Sequence, residues 1–345
     1  MQAFKDTPVV DGHNDLAFAA RVAAGYSVEN LATGAAAVFQ TDIDRLRRGG
    51  VGAQFWSVYA PSDLAPAEAL KFTMEQIDFV YRLIERYEGD LAFARTSDDV
   101  RAAWRNGRIA SLIGAEGGAC IGESLGVLRM LARLGVRYMT LTHDRNVAWA
   151  DSATDEPEHH GLNVLGRSVV QEMNRVGMLV DLSHVSAETM RDAIATSEAP
   201  VIFSHSSCHH VCPHPRNVPD DVLKLLSNNG GVLMIAFVAP FVSREYNDWS
   251  PADSEHPRPR ATVDDVVAHF NHAREVCGID HIGLGSDYDG FDEWPDEMSD
   301  VRGFAVLLDR LAAQGWSSTD LSKVMGGNLL RVLGDTDVAA SSACK

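Results

Sequence analysis

Eight short apolar, β-rich runs recur along this chain with a helical pattern between most of them, and that alternation limits the fold more than any other feature. The runs cover residues 9–13, 51–59, 109–115, 138–141, 178–182, 201–203, 232–236 and 281–284. Helical periodicity occupies 66–87, 123–134, 164–176, 187–196, 220–228 and 263–276, and again 301–313 and 319–333 beyond the eighth run. Runs this continuously apolar fit a parallel sheet covered on both faces. Eight β–α alternations fit a closed (β/α)8 barrel of the α/β class, which needs ~250 residues. The surplus in this 345-residue chain falls mainly in two insertions, 144–162 after the fourth strand and 238–261 after the seventh. No linker divides the chain, so residues 1–345 are expected to form one domain, with the barrel core spanning 9–333.

Charge narrows the partners. The 48 acidic and 30 basic residues give a formal charge of −18, which repels nucleic acid and anionic membrane. No apolar run approaches the ~20 residues of a membrane span. Residues 1–8 lack the pattern of a signal peptide, and 335–345 lack the hydrophobic tail of a lipid-anchor signal. Five unpatterned cysteines (Cys120, Cys208, Cys212, Cys277 and Cys344) suit free thiols in a reducing compartment. The expected location is therefore cytoplasmic.

Chemistry gathers where the strands end. The first run leads into Asp11-Gly12-His13-Asn14-Asp15; on a strand, residues two apart share a face, so His13 and Asp15 would address one point. Glu116 ends the third strand, His143 the fourth, His184 the fifth, His205 the sixth and Asp287 the eighth. A barrel brings all of these ends to one mouth, the usual place for its active site. Taken singly, a buried histidine is more often an ordinary structural residue than a ligand. Six of eight strands ending in His, Asp or Glu is a pattern of metal or catalytic sites. The set exceeds what one tetrahedral zinc needs and fits two cations sharing a carboxylate. None of the five lysines ends a strand, so no modified lysine is available as the bridge and Glu116 is the best candidate.

These motifs resemble a known family. In order they are Asp11-Gly12-His13-Asn14-Asp15, Gly114-Ala115-Glu116-Gly117, Thr140-Leu141-Thr142-His143, Asp181-Leu182-Ser183-His184, Ser204-His205-Ser206 and Arg216-Asn217-Val218-Pro219-Asp220-Asp221. Together they look like the membrane (renal) dipeptidase family of metallopeptidases, a branch of the amidohydrolase superfamily, over residues 9–333. The resemblance implies two Zn2+ per chain: His13 and Asp15 on one, His184 and His205 on the other, Glu116 bridging. It further implies that His143 and Arg216 contact substrate and that Asp287 handles the proton. The implied reaction is hydrolysis of dipeptides with a free C-terminal carboxylate by a metal-bridging hydroxide, with L-Xaa-D-Xaa substrates permitted. A homodimer is a further family-based expectation. The chain departs from the family at Ala236-Phe237-Val238, where members often carry Asn-Phe-Tyr, so one pocket wall is expected to differ.

The implied roles suit the side chains. A guanidinium fork such as Arg216 matches a carboxylate, and its fixed distance from the metals would act as a ruler for dipeptides; an ordinary ion pair with Asp220 or Asp221 is the simpler alternative. Asp289 rivals Asp287, which lies nearer the sheet end. Cys208 and Cys212, four residues apart, do not supply the closed ligand set of a separate zinc site. His159 and His160 fit solvated loop positions, and Trp56, Tyr59 and Trp149 fit either a pocket wall or core packing. A deacylase of N-acyl amino acids or a lactonase could use the same metals, because fold does not fix substrate. A metal-binding scaffold without catalysis is the remaining alternative.

Overall fold

The computed structural model describes residues 7–35, 38–252 and 256–343. Its strands are β1 (Val9–Asp11), β2 (Val51–Tyr59), β3 (Leu91–Phe93), β4 (Ile109–Glu116), β5 (Val136–Thr140), β6 (Leu179–Asp181), β7 (Ile202–Ser206), β8 (Val232–Ile235) and β9 (Ile282–Leu284). All pair in parallel, in the order β2-β1-β9-β8-β7-β6-β5-β4-β3, and a further β2–β4 pairing closes eight of them into a ring. The chain is thus a single-domain (β/α)8 barrel. The ninth strand, β3, was not expected. It pairs only with Ile109–Ser111 at the start of β4, on the edge that β5 takes over from Ile113 onward.

Closure follows from register. Seven consecutive pairs, from Ala53 with Ala110 to Tyr59 with Glu116, zip β2 to β4. Because side chains alternate faces, one column of β4 reads Ala110, Leu112, Gly114, Glu116 and its β2 counterpart reads Ala53, Phe55, Ser57, Tyr59. The lower parts of these columns pack with Val10, Tyr138, Leu179, Ile202, Val232 and Met234 in one apolar cluster. Toward the strands' C-terminal ends the same columns turn polar, at Ser57, Glu116, Thr140, Asp181 and Ser204. Apolar packing at one end therefore leaves the polar chemistry at the other. A larger apolar cluster, including Val169, Val170, Met173, Val222, Phe270 and Leu307, joins the helices to the strands.

Gly114 is required by its neighbour. A Cβ there would run into the ring of Tyr138, whose hydroxyl bonds His13. Gly114→Ala is expected to destabilise the protein by about 1–3 kcal/mol, the usual cost of overpacking. Urea unfolding of the metal-free protein measures this, and unchanged stability would mean Tyr138 has another place to go.

Several helices match the periodicity residue for residue, among them Val164–Val176, Ala187–Thr196 and Val263–Val276. Leu16–Ala24, Ile43–Arg48 and Ser97–Arg105 were not foreseen, although Thr96 and Asp99 form a capping box at the start of the last. The two insertions follow β5 and β8. In the first, the Asp151 carboxylate accepts backbone N–H groups from Glu158, His159 and Gly161, which holds the loop in shape. The second contains two short helices, Ala239–Val242 and Arg244–Asp248. No helix among the described residues is long and apolar enough to cross a membrane. Cys120, Cys208, Cys212 and Cys277 are free and buried; Cys344 lies outside the described residues.

Candidate metal and active site

The backbone leaves the strands in ways that alternation alone does not give. β1 ends at Asp11, so His13 and Asp15 are not strand neighbours on one face as expected. The chain instead continues extended, with Gly12 bonding to Leu284 and Asn14 bridging to Tyr288, before the helix begins at Leu16. Asp15 stands at the helix N-cap, where an aspartate usually accepts helix N–H groups, but its side chain makes no such bond. Asn14 takes that role toward Leu16. The Asp15 carboxylate is thereby free to face His13, at 3.2 Å. His184 and Asp287 both hold the left-handed backbone region, with φ of 70° and 72°. That conformation is costly for residues other than glycine and recurs at functional sites.

Glu116 is the centre of the arrangement. One carboxylate oxygen, Oε2, lies 3.3 Å from His13 Nε2 and accepts the Ser57 hydroxyl at 2.9 Å. The other, Oε1, lies 3.0 Å from His184 Nε2, 3.4 Å from His205 Nε2 and 3.7 Å from His143 Nε2. The two oxygens thus face two donor sets. His13, Asp15 and Glu116 form one, and Glu116, His184 and His205 the other, each with all ligand atoms within 4.8 Å of one another. All five residues are buried.

Whether these residues suit cations can be judged from their charges and lone pairs. Asp15, Glu116 and Asp287 put three buried carboxylates beside one buried guanidinium, Arg216. Such an excess of like charge is unfavourable in a dry site unless cations offset it. Burial pushes the Asp287 carboxyl well above the usual range, and Asp15 and Glu116 add to this against the pull of His13. Burial opposes a charged His13, yet Tyr138, Glu116 and Asp15 together raise its pKa, so without metal a proton is drawn to that spot. Burial holds His184 and His205 well below the usual range, with nearby positive groups adding to it, so both present neutral imidazoles. The buried Nε2 atom of His13 has no well-aligned hydrogen bond, although carboxylate oxygens of Asp15 and Glu116 lie 3.2 and 3.3 Å away. The donor set fits a pair of divalent cations.

Supporting groups fix the rings. Ser204 donates its hydroxyl to Asp181 at 2.6 Å, so it can only accept from His205 Nδ1 at 2.8 Å. The proton then sits on Nδ1, which leaves the Nε2 lone pair facing Glu116. Such outer partners orient metal-binding histidines. Asp181 is itself held by the Thr140 hydroxyl and by the backbone N–H of Ser183 and Ser204. The Tyr138 hydroxyl, 2.8 Å from His13 Nδ1, holds the His13 ring in place.

Above the cluster opens a cavity of about 460 Å³, with Phe18, Tyr59, Phe241 and Phe291 among its walls. His143, Arg216 and Asp287 reach into it with Asp15, Glu116 and His184. His143 is half-buried, its ring tilted against that of Tyr59, and its Nδ1 lies 3.3 Å from Asp144. Arg216 makes no ion pair with Asp220 or Asp221, which bond to His272 and Arg191. Its guanidinium donates a long hydrogen bond, 3.4 Å, to the His205 carbonyl, and its Nη1 has no partner among the described residues. Asp289 stands outside the cavity wall, where one oxygen accepts the backbone N–H of Gln40 at 2.7 Å.

The pocket wall after β8 is made by Pro240 and Phe241, and residues 236–238 are buried behind them. Trp56 and Trp149 are core residues, whereas Tyr59 lines the cavity. His159 bonds to the Val147 carbonyl, and Cys208 and Cys212 face backbone carbonyls of His269 and Pro240. The sequence reading missed Asp144, Tyr138, Asp181 and Ser204. Asp144, Asp181 and Ser204 lie beside or within a motif and Tyr138 two residues before one, which was the available signal.

Comparison with known proteins adds a further finding. The family model for membrane dipeptidase, peptidase family M19, matches residues 2–344. Dipeptidase verJ of Clonostachys rogersoniana is 44% identical over 344 residues, covering 96% of this chain and 85% of that protein. Dipeptidase tcpJ of Claviceps purpurea (strain 20.1) is 42% identical over 349 residues, covering 96% and 78%. The crystal structure of dipeptidase AC, a family M19 metallopeptidase, matches with a TM-score of 0.86 at 24% identity, covering 96% of this chain and 98% of that one. A Rhodobacter sphaeroides metallopeptidase, liganded with a phosphinate mimic of L-Ala-D-Ala, also gives 0.86, at 23% identity and with 96% and 99% covered. At such identities the two structures speak for the barrel fold.

Proposed function

Because the chain belongs to the membrane dipeptidase family, peptidase family M19, we propose that it hydrolyses the peptide bond of dipeptides bearing a free C-terminal carboxylate, with two Zn2+ as cofactors. His13, Asp15 and Glu116 would hold one cation and Glu116, His184 and His205 the other. When bound, the pair supplies the Lewis acidity that makes water a nucleophile at neutral pH. One observation carries the reading: a buried guanidinium with an unpartnered Nη1 and a two-sided carboxylate share one cavity.

The chain's own groups then divide the work. Arg216 takes the substrate carboxylate in a charge-assisted fork, which sets the scissile bond one residue away over Glu116. His143 donates to the carbonyl oxygen as it gains charge, a contribution worth ~3–4 kcal/mol when such a donor is removed. Asp287 accepts the proton from the attacking water and passes it to the leaving nitrogen as the C–N bond breaks. The aromatic walls exclude water and bear on the side chains.

Arg216→Ala tests the ruler. Truncating one partner of a buried charge pair costs about 2–5 kcal/mol, so kcat/KM for free dipeptides is expected to fall by a factor of roughly 30 to several thousand. Dipeptide amides and esters, which lack the carboxylate, should be cleaved equally by variant and parent. An equal loss on both classes would remove the ruler and favour a general amidohydrolase. A panel of L-Xaa-L-Xaa and L-Xaa-D-Xaa dipeptides against the zinc-loaded protein tests the substrate class and its stereochemical range.

A further inference from the structure

We infer a separate, solvent-facing site for a divalent transition-metal cation, formed by His210, Asp220 and His272. The three come from different elements: the loop after β7, the first residue of helix Asp220–Asn229, and helix Val263–Val276. Their ligand atoms lie within 4.8 Å of one another. His272 Nε2 is 2.8 Å from Asp220 Oδ1, and the rings of His210 and His272 lie parallel with centroids 4.7 Å apart. None of the three lines the central cavity.

The segment that carries His210 is held in place. The Arg244 guanidinium donates to the carbonyls of His210 and Val211, at 3.0 and 3.3 Å. His210 itself is exposed, and its partners are half-buried, so the site is formed in advance and open to water on one side. Two imidazoles and a carboxylate with open positions suit Zn2+ and its first-row neighbours. They do not suit Ca2+ or Mg2+, which require mostly oxygen ligands. The loop that supplies His210 also carries Arg216, so a cation here joins the loop holding the substrate-binding guanidinium to two outer helices. The sequence reading set aside the run from His205 to His214 as a separate metal site, because only His205 sits at a strand end; Asp220 and His272, which complete the set, lie outside that run.

The test starts from protein with its central metal content fixed by elemental analysis and free metal removed, then titrates ZnCl2 by calorimetry. One further equivalent should bind, and the melting temperature should rise saturably with added zinc. His210→Ala and His272→Ala should each weaken this binding on the order of 100-fold, the upper end for loss of a group supporting a metal site, and abolish the thermal rise. Central metal content and activity without added zinc should be the same in both variants as in the parent, which also shows that they fold. No saturable binding beyond the central content, or equal binding by parent and both variants, overturns the site. Because the readout is a difference between parent and variants, it holds whatever the central site proves to bind.

Discussion

Asp287→Asn is expected to lower kcat by about two to four orders of magnitude, the range attributed to a positioned acid–base group, with metal content unchanged. Asparagine has nearly the volume of aspartate and tolerates the left-handed backbone region that Asp287 occupies at φ 72°. The substitution therefore removes the proton acceptor and leaves the loop as it was. The geometry contains a competing possibility, because His13, His205 and Asp287 also bring their ligand atoms within 4.8 Å. If Asp287 holds a cation rather than a proton, elemental analysis of the variant will show metal lost along with activity. Asp289→Asn serves as the control. Its carboxyl, pushed up to about 7 by burial, accepts from the Gln40 backbone and does not face the cavity. Activity in that variant should stay within about tenfold of the parent, a loss short of the range for an acid–base group.

The barrel and its mouth were legible because one topology turns scattered strand ends into neighbours. His13 and Asp287 are far apart in the chain, yet β1 and β9 are adjacent in the ring and their ends lie side by side. Glu116 and His143 follow from β4 and β5 in the same way. What alternation could not supply was the path after each strand. The pairing of His13 with Asp15 was expected from a shared strand face, but it arises because Asn14 caps the following helix in place of Asp15. The short strand β3 escaped notice because Leu91, Ala92 and Phe93 are too few to show a period, and only contact with the start of β4 makes them a strand.

The supporting shell was hidden for a different reason. Asp181 and Ser204 lie three and one residues before His184 and His205, and Tyr138 five before His143, but their roles depend on donor direction. Ser204 fixes His205 only because Asp181 takes its proton, and that chain of bonds crosses β5, β6 and β7. A sequence presents these residues as ordinary strand serines and aspartates. Arg216 shows the converse. Asp220 and Asp221 follow it closely enough to suggest an ion pair, and the fold gives both to other partners.

Glu116→Gln is expected to remove both cations and reduce hydrolysis to background, while His184→Ala should release only the cation on its own side. Glutamine keeps the size of glutamate and can still accept the Ser57 hydroxyl, so the barrel should fold as before. What changes is charge at the one group that faces His13 with one oxygen and His184 and His205 with the other. Affinity at both sites should fall by more than about 100-fold, since loss of merely supporting groups costs 10 to 100-fold. Stability separates this from simple damage. Burial opposes a charged Glu116 in the metal-free protein, yet His13, His184 and His143 together hold its carboxyl well below the usual range, so that charge is stabilising at neutral pH and the metal-free variant is expected to melt below the metal-free parent while still folding. The rise produced by zinc loading at the central site, which links binding to folding, should disappear. A Gln variant that retained two cations and most of its activity would show that the two donor sets are joined by something other than this carboxylate.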